Sequence, residues 1–148
     1  MKKKFFLSTI LFAAMIVLSI SGCKKETQSA LEKNTGLLTS GNWKLTYYWV
    51  YSITGDYDAY ATLTACRKDD FVHFNSDGTK ITDEGPTKCN SADPQTTSTA
   101  WRFTNDNANR IDLNGTEYII DALTNDELRI HTANTDPYAT ERVMKYTH

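Results

Sequence analysis

Asp70-Phe71-Val72-His73-Phe74, then Asn75-Ser76-Asp77-Gly78, then Thr79-Lys80-Ile81-Thr82-Asp83: this stretch decides the fold. Its outer segments carry the aromatic and β-branched side chains of strands, and the four residues between them have turn chemistry. Glycine accepts the positive φ of a tight loop, and Asn and Asp tolerate the left-handed region. An antiparallel hairpin with its turn at 75–78 is therefore expected. Counting outward from Asp77, Cys66 lies eleven residues back and Cys89 twelve forward. The two thus face each other at the hairpin's open end, and a Cys66–Cys89 disulfide is expected; the alternative is a pair of free thiols. Phe71 opposes Val72 and Phe74 in parity, so periodicity alone does not orient this strand.

Further strands follow from alternation and turn signals on either side. Asn42 to Tyr51 alternates Trp43, Leu45, Tyr47, Trp49 and Tyr51 against Asn42, Lys44, Thr46, Tyr48 and Val50. Beyond the hairpin, Thr99–Thr104 holds Trp101 and Phe103, and Arg110–Leu113 is joined to Thr116–Ala122 by Asn114-Gly115, a strong two-residue hairpin signal. Glu127–Thr132 and Thr140–Thr147 complete eight strands, with no crossover helix between any of them. An antiparallel sheet of this size must protect its edges, and an up-and-down barrel does so by pairing last strand with first. The expected fold is all-β, an eight-stranded antiparallel up-and-down barrel over residues 37–148.

The segment before the barrel has a different character. Lys2, Lys3 and Lys4 precede an apolar run from Phe5 to Ile20, too short for an ordinary spanning helix and suited to a secretory leader. It ends in Ile20-Ser21-Gly22-Cys23, which resembles the lipobox of bacterial lipoproteins. That resemblance implies cleavage after residue 22, acylation (palmitate or a similar chain) of Cys23, and a cell-envelope location, with the outer membrane favoured because no acidic residue directly follows Cys23. Residues 23–36 are polar and read as a tether, disordered or briefly helical near Ala30–Lys33. The full chain has 16 Lys and Arg against 18 Asp and Glu; losing Lys2–Lys4 with the leader leaves 13 against 18, a net charge of −5. This balance argues against nucleic acid as a partner. With Cys23 lipidated, the remaining two of the three cysteines form a pair in an oxidising compartment.

Gly41-Asn42-Trp43 at the start of the first strand is similar to the Gly-x-Trp that opens lipocalin barrels. The combination of Cys66-Arg67-Lys68-Asp69-Asp70, Phe74-Asn75-Ser76-Asp77-Gly78-Thr79, Lys88-Cys89 and Trp101-x-Phe103 resembles the lipocalin-like domain of Bacteroidetes-type lipoproteins. The resemblance spans nearly the whole domain, although the second lipocalin motif, Thr-Asp-Tyr, is absent. It implies that Arg142 on the last strand packs across Trp43 and ties the barrel's end to its beginning, a cation–π contact of ~0.5–2 kcal/mol.

Leu45, Tyr47, Trp49, Phe74, Trp101, Phe103, Ile120 and Ile130 are the candidate lining of an interior cavity. The same side chains serve equally to fill a barrel that holds nothing. The spacing His73-x-Asn75-x-Asp77-Gly78 with Glu84 falls almost in EF-hand register, but a histidine in the first position and strand-like flanks favour a plain hairpin turn. His73, His131 and His148 are scattered, and no nucleophile elbow or phosphate loop occurs, so no metal, cofactor or catalytic residue is expected. Three functions are distinguishable. A carrier of a small apolar or amphipathic ligand needs a cavity above ~300 Å³ with converging polar groups. An adaptor that engages an envelope partner through its loops needs a filled barrel with an apolar patch at its mouth. An enzyme needs converging titratable groups in a cleft.

Overall fold

The structure is a computed structural model that describes residues 28–133 and 140–148. The expected leader at 1–22 and the expected lipidation site at Cys23 lie outside the described residues. The strands β1 (Asn42–Tyr51), β2 (Tyr57–Asp58), β3 (Phe71–Phe74), β4 (Thr79–Asp83), β5 (Thr96–Phe103), β6 (Arg110–Leu113), β7 (Thr116–Leu123), β8 (Glu127–Thr132) and β9 (Glu141–Thr147) pair in sequence order, apart from β2, and all pairings are antiparallel. β9 returns to pair with β1 from Lys44↔Thr147 to Tyr51↔Glu141, which closes an eight-stranded up-and-down barrel. The additional short strand, β2, lies along the distal half of β1, where β3 has already ended (Trp49↔Asp58, Val50↔Tyr57).

The turns form as their residues dictate. In the β3–β4 hairpin, Asn75 donates its backbone N–H to the Thr79 carbonyl at 2.8 Å, and the Asp77 carboxylate accepts from the Thr79 N–H at 2.9 Å. Gly78 sits at φ +87°, with the Trp101 carbonyl 3.2 Å from where a Cβ would stand, so both conformation and space call for glycine. Asn114 and Gly115 both have positive φ, 54° and 88°, as a two-residue hairpin needs to match strand twist.

Three short helices accompany the barrel: α1 (Ala30–Leu38), α2 (Ala59–Thr62) and α3 (Ala65–Lys68). α1 replaces much of the expected tether. The Ser29 hydroxyl caps it by accepting from the Glu32 N–H at 3.1 Å. Leu38 is fully buried, its carbonyl accepts from the Trp43 indole N–H at 2.8 Å, and the Asn34 side-chain amide donates to the Ala108 carbonyl at 3.0 Å. The helix is thus a plug across one end of the barrel.

The core gathers at that plugged end: Leu38, Trp43, Phe74, Trp101, Ile111, Leu128 and Ile130. Trp101 meets Phe74 and Phe103 edge to face at 5.6 and 5.5 Å, and its indole N–H donates to the Asn75 carbonyl at 2.9 Å. Opposite β8, the β4–β5 wall is more polar. Lys80 pairs with Phe74 on one side and Thr99 on the other, so its stem shares their inward face.

Burial lowers the Lys80 amine below the ordinary lysine pKa, and no ion pair to it occurs among the described residues. In the alkaline window between the folded and the ordinary value the unfolded chain binds more protons, so stability rises with pH there. Lys80→Met is expected to raise the denaturation midpoint at neutral pH and to flatten that rise. An unchanged alkaline slope in denaturant titrations would show that the amine is solvated after all.

Candidate functional site

One residue determines which side chains face the barrel interior. The β1–β9 register runs Leu45↔Tyr146, then Tyr47↔Lys145, leaving Thr46 unpaired as a bulge. An extra residue reverses the parity of everything after it. Trp43 and Leu45 point inward before the bulge, and Tyr48 and Val50 point inward after it. Tyr47, Trp49 and Tyr51, expected on the inside in continuation of Trp43 and Leu45, are on the outer wall. A second bulge, at Asp121 between Ile120↔Ile130 and Ala122↔Arg129, adjusts β7 in the same way. There the Asp121 carboxylate reaches His131 Nδ1 at 3.1 Å and Arg129 Nε at 3.9 Å on the outer face.

At the end of the barrel away from α1 the interior opens into a cavity of about 340 Å³. Leu45, Tyr48, Leu63, Arg67, Asp70, Tyr118, Arg142 and Met144 line it. Leu45, Leu63 and Met144 supply apolar surface, and Tyr48 and Tyr118 supply phenols. Beneath them Tyr146 is half-buried, with its hydroxyl 3.5 Å from the weakly accepting Met144 sulfur. Desolvation pushes the Tyr146 phenol far above the ordinary tyrosine value, and Tyr118 and Tyr48 add to the effect. Tyr118 is raised too, by burial first, against the lowering influence of Arg142. These two hydroxyls stay protonated at neutral pH and act as hydrogen-bond donors.

Charge gathers on the cavity's lining as well, in two guanidinium groups and one carboxyl. Burial, followed by Glu84 and Asp69, raises the Asp70 pKa, with Arg67 opposing. One Asp70 oxygen is buried without a hydrogen-bond partner. The Arg67 backbone belongs to α3, and Cys66 beside it is bonded to Cys89 with an S–S distance of 2.03 Å, as the hairpin symmetry anticipates. The bridge therefore fastens the helix bearing Arg67 to the β4–β5 connection.

A second hollow of about 410 Å³ is larger but lies on the outer wall, where Asn42, Phe71, His73, Ile81, Asp83, Gly85 and Pro86 form a groove. Phe71, His73 and Ile81 alternate with the inward Val72, Phe74 and Lys80, which places the groove outside the barrel. In the hairpin that carried the EF-hand spacing, His73 Nδ1 contacts the Gly41 carbonyl at 3.1 Å and Asp77 serves the turn. The inner cavity is the better candidate because it joins apolar surface to convergent charge.

Of the eight side chains expected to line a cavity, Leu45 alone borders this one. Phe74, Trp101, Phe103, Ile120 and Ile130 face inward but belong to the packed half of the barrel. Tyr47 and Trp49 face outward. Trp43 and Arg142 do not meet, because Arg142 pairs with Val50, seven residues along β1 from Trp43 and about 23 Å at strand rise. The ring over Trp43 is that of His148, with centroids 3.9 Å apart. Barrel closure at that end is aromatic, and Arg142 is free to serve the opposite end. Tyr48, Arg67, Asp70 and Tyr118 escaped sequence reasoning; the apolar residues Tyr48 and Val50 on the "wrong" parity of β1 were the available signal. No family model matches the chain, and no curated protein is significantly similar to it.

Proposed function

We propose that the protein is a lipid-anchored, lipocalin-like binding protein of the cell envelope that holds a small amphipathic ligand non-enzymatically. The observation that carries this reading is the 340 Å³ cavity, in which Leu45, Leu63 and Met144 supply apolar surface and Arg67 and Arg142 supply positive charge. Apolar surface accounts for the ligand's tail, and two guanidinium groups account for an anionic or strongly accepting head. The phenols of Tyr48 and Tyr118 supply hydroxyl donors in the same space. Acylation of Cys23 supports the envelope location, and its basis is the Ile20-Ser21-Gly22-Cys23 sequence.

A polyene fatty acid whose fluorescence rises in apolar surroundings tests the reading by titration. Saturable binding at one site is expected, and Arg142→Ala should weaken it about tenfold to a hundredfold, the ~1.5–3 kcal/mol of a charge-assisted hydrogen bond. Binding that ignores both Arg142→Ala and Arg67→Ala would remove the cavity from consideration. The adaptor reading draws support from Ile53, which is 75% exposed in the turn after β1.

A further inference from the structure

We propose that the outer wall of β1 is a bilayer-docking face, on which Tyr47, Trp49 and Tyr51 meet the lipid headgroup region. The inference goes beyond ligand binding and rests on the reading of Cys23 as acylated. The Thr46 bulge turns all three rings outward on one strand, with successive centroids 6.3 and 6.4 Å apart. Tyr47 and Tyr51 remain 37% and 40% exposed, and Ile53 follows in the next turn. Trp49, between the two tyrosines, is half-buried, and the core lies on the other side of the wall.

The chemistry of the ladder selects its partner. Phenol and indole rings combine an apolar body with a polar edge, and they concentrate where water meets hydrocarbon. Across the β1–β9 pair the ladder is flanked by Lys145, Val143 and Glu141, one cation and one anion about an apolar centre, and Asp58 lies opposite Trp49 on β2. This face has no cationic excess, and the mature chain carries −5 overall. Its fit is therefore to a zwitterionic interface, reached through uncharged rings while the acidic remainder stays in water. Reach is not limiting. Lys24 to Ser29 separate Cys23 from α1, and six residues extend to about 20 Å. A domain held that close docks at high effective concentration, so a weak contact suffices.

Trp49 supplies its own reporter. Of the three tryptophans, Trp43 is fully buried and Trp101 is 6% exposed, so Trp49 is the one that can touch lipid. The chain produced with its own leader is reconstituted into phosphatidylcholine vesicles with and without bromine near the top of the acyl chains. Label from a fatty-acid precursor is followed in parallel, with Cys23→Ser as control. Label on Cys23 together with bromolipid quenching that disappears in Trp49→Phe is the expected result. Tyr47→Ser with Tyr51→Ser should reduce the quenching while Trp43 emission reports an intact barrel.

Label without Trp49-dependent quenching overturns the docking face and leaves the anchor standing. Quenching without label removes the anchor and keeps the face. Neither signal overturns both. A dimer that the Tyr47→Ser, Tyr51→Ser pair dissolves, with no quenching, would assign the face to a second copy and overturn the proposal.

Discussion

Trp43→Ala is expected to cost about 3–5 kcal/mol, the range for deleting a large aromatic from a packed core. Trp43 is fully buried, and three separate parts of the chain meet on it. Its indole N–H donates to the Leu38 carbonyl at 2.8 Å, its ring packs against His148 at 3.9 Å, and its backbone pairs with Val72. Removing it opens a cavity between α1 and the barrel and leaves a buried carbonyl without its donor. Trp43→Phe separates the two contributions: most of the ring surface stays, and the lost hydrogen bond should cost about 1–3 kcal/mol. Denaturant midpoints followed by far-UV circular dichroism give both values. A loss below ~1 kcal/mol for the alanine variant would mean that the plugged end is not the core of the fold.

The second large effect concerns the bridge. Replacing Cys66 and Cys89 together by serine should lower stability by about 3 kcal/mol, from the added freedom of the unfolded chain when a loop with a separation of 23 residues is released. Because Cys66 lies in α3 beside Arg67, the same variant should also weaken binding of the anionic probe under conditions where the barrel remains folded. Probe affinity and denaturation midpoint measured on one sample check the pairing of effects. Full stability in the double variant would contradict the constraint, and unchanged affinity would detach the bridge from the site.

The fold was legible where local chemistry is strong. Asn75-Ser76-Asp77-Gly78 and Asn114-Gly115 announce turns because few residues tolerate the backbone those turns impose, and Gly78, Asn114 and Gly115 adopt it. The closing β1–β9 pair follows from the need to bury strand edges, and it was legible for that reason. α1 was legible only in its first turn, as the brief helix near Ala30–Lys33; its extension to Leu38 comes from packing on Trp43 and Ala108, which no local pattern reveals.

The interior was misread for a more specific reason. An alternation of Trp43, Leu45, Tyr47, Trp49 and Tyr51 describes one continuous face only if no residue is added, and a bulge leaves no compositional mark. Thr46, the residue that breaks the register, is an ordinary strand residue, and the aromatics beyond it remain aromatic whichever way they point. What the bulge changes is which side chains reach the interior. It moves Tyr47, Trp49 and Tyr51 to the outer surface and brings Tyr48 to the cavity, where Arg142, freed from Trp43, joins Arg67 on the lining.

In the proposed carrier the ligand's tail lies inside the barrel and not along the outer aromatic ladder. Isotope-edited nuclear Overhauser contacts between a bound long-chain carboxylate and protein methyl groups test it most directly. Contacts from the tail to the methyls of Leu45, Leu63 and Met144 are expected. Contacts instead to the rings of Tyr47 and Trp49, or to the groove formed by Phe71 and Ile81, would contradict it.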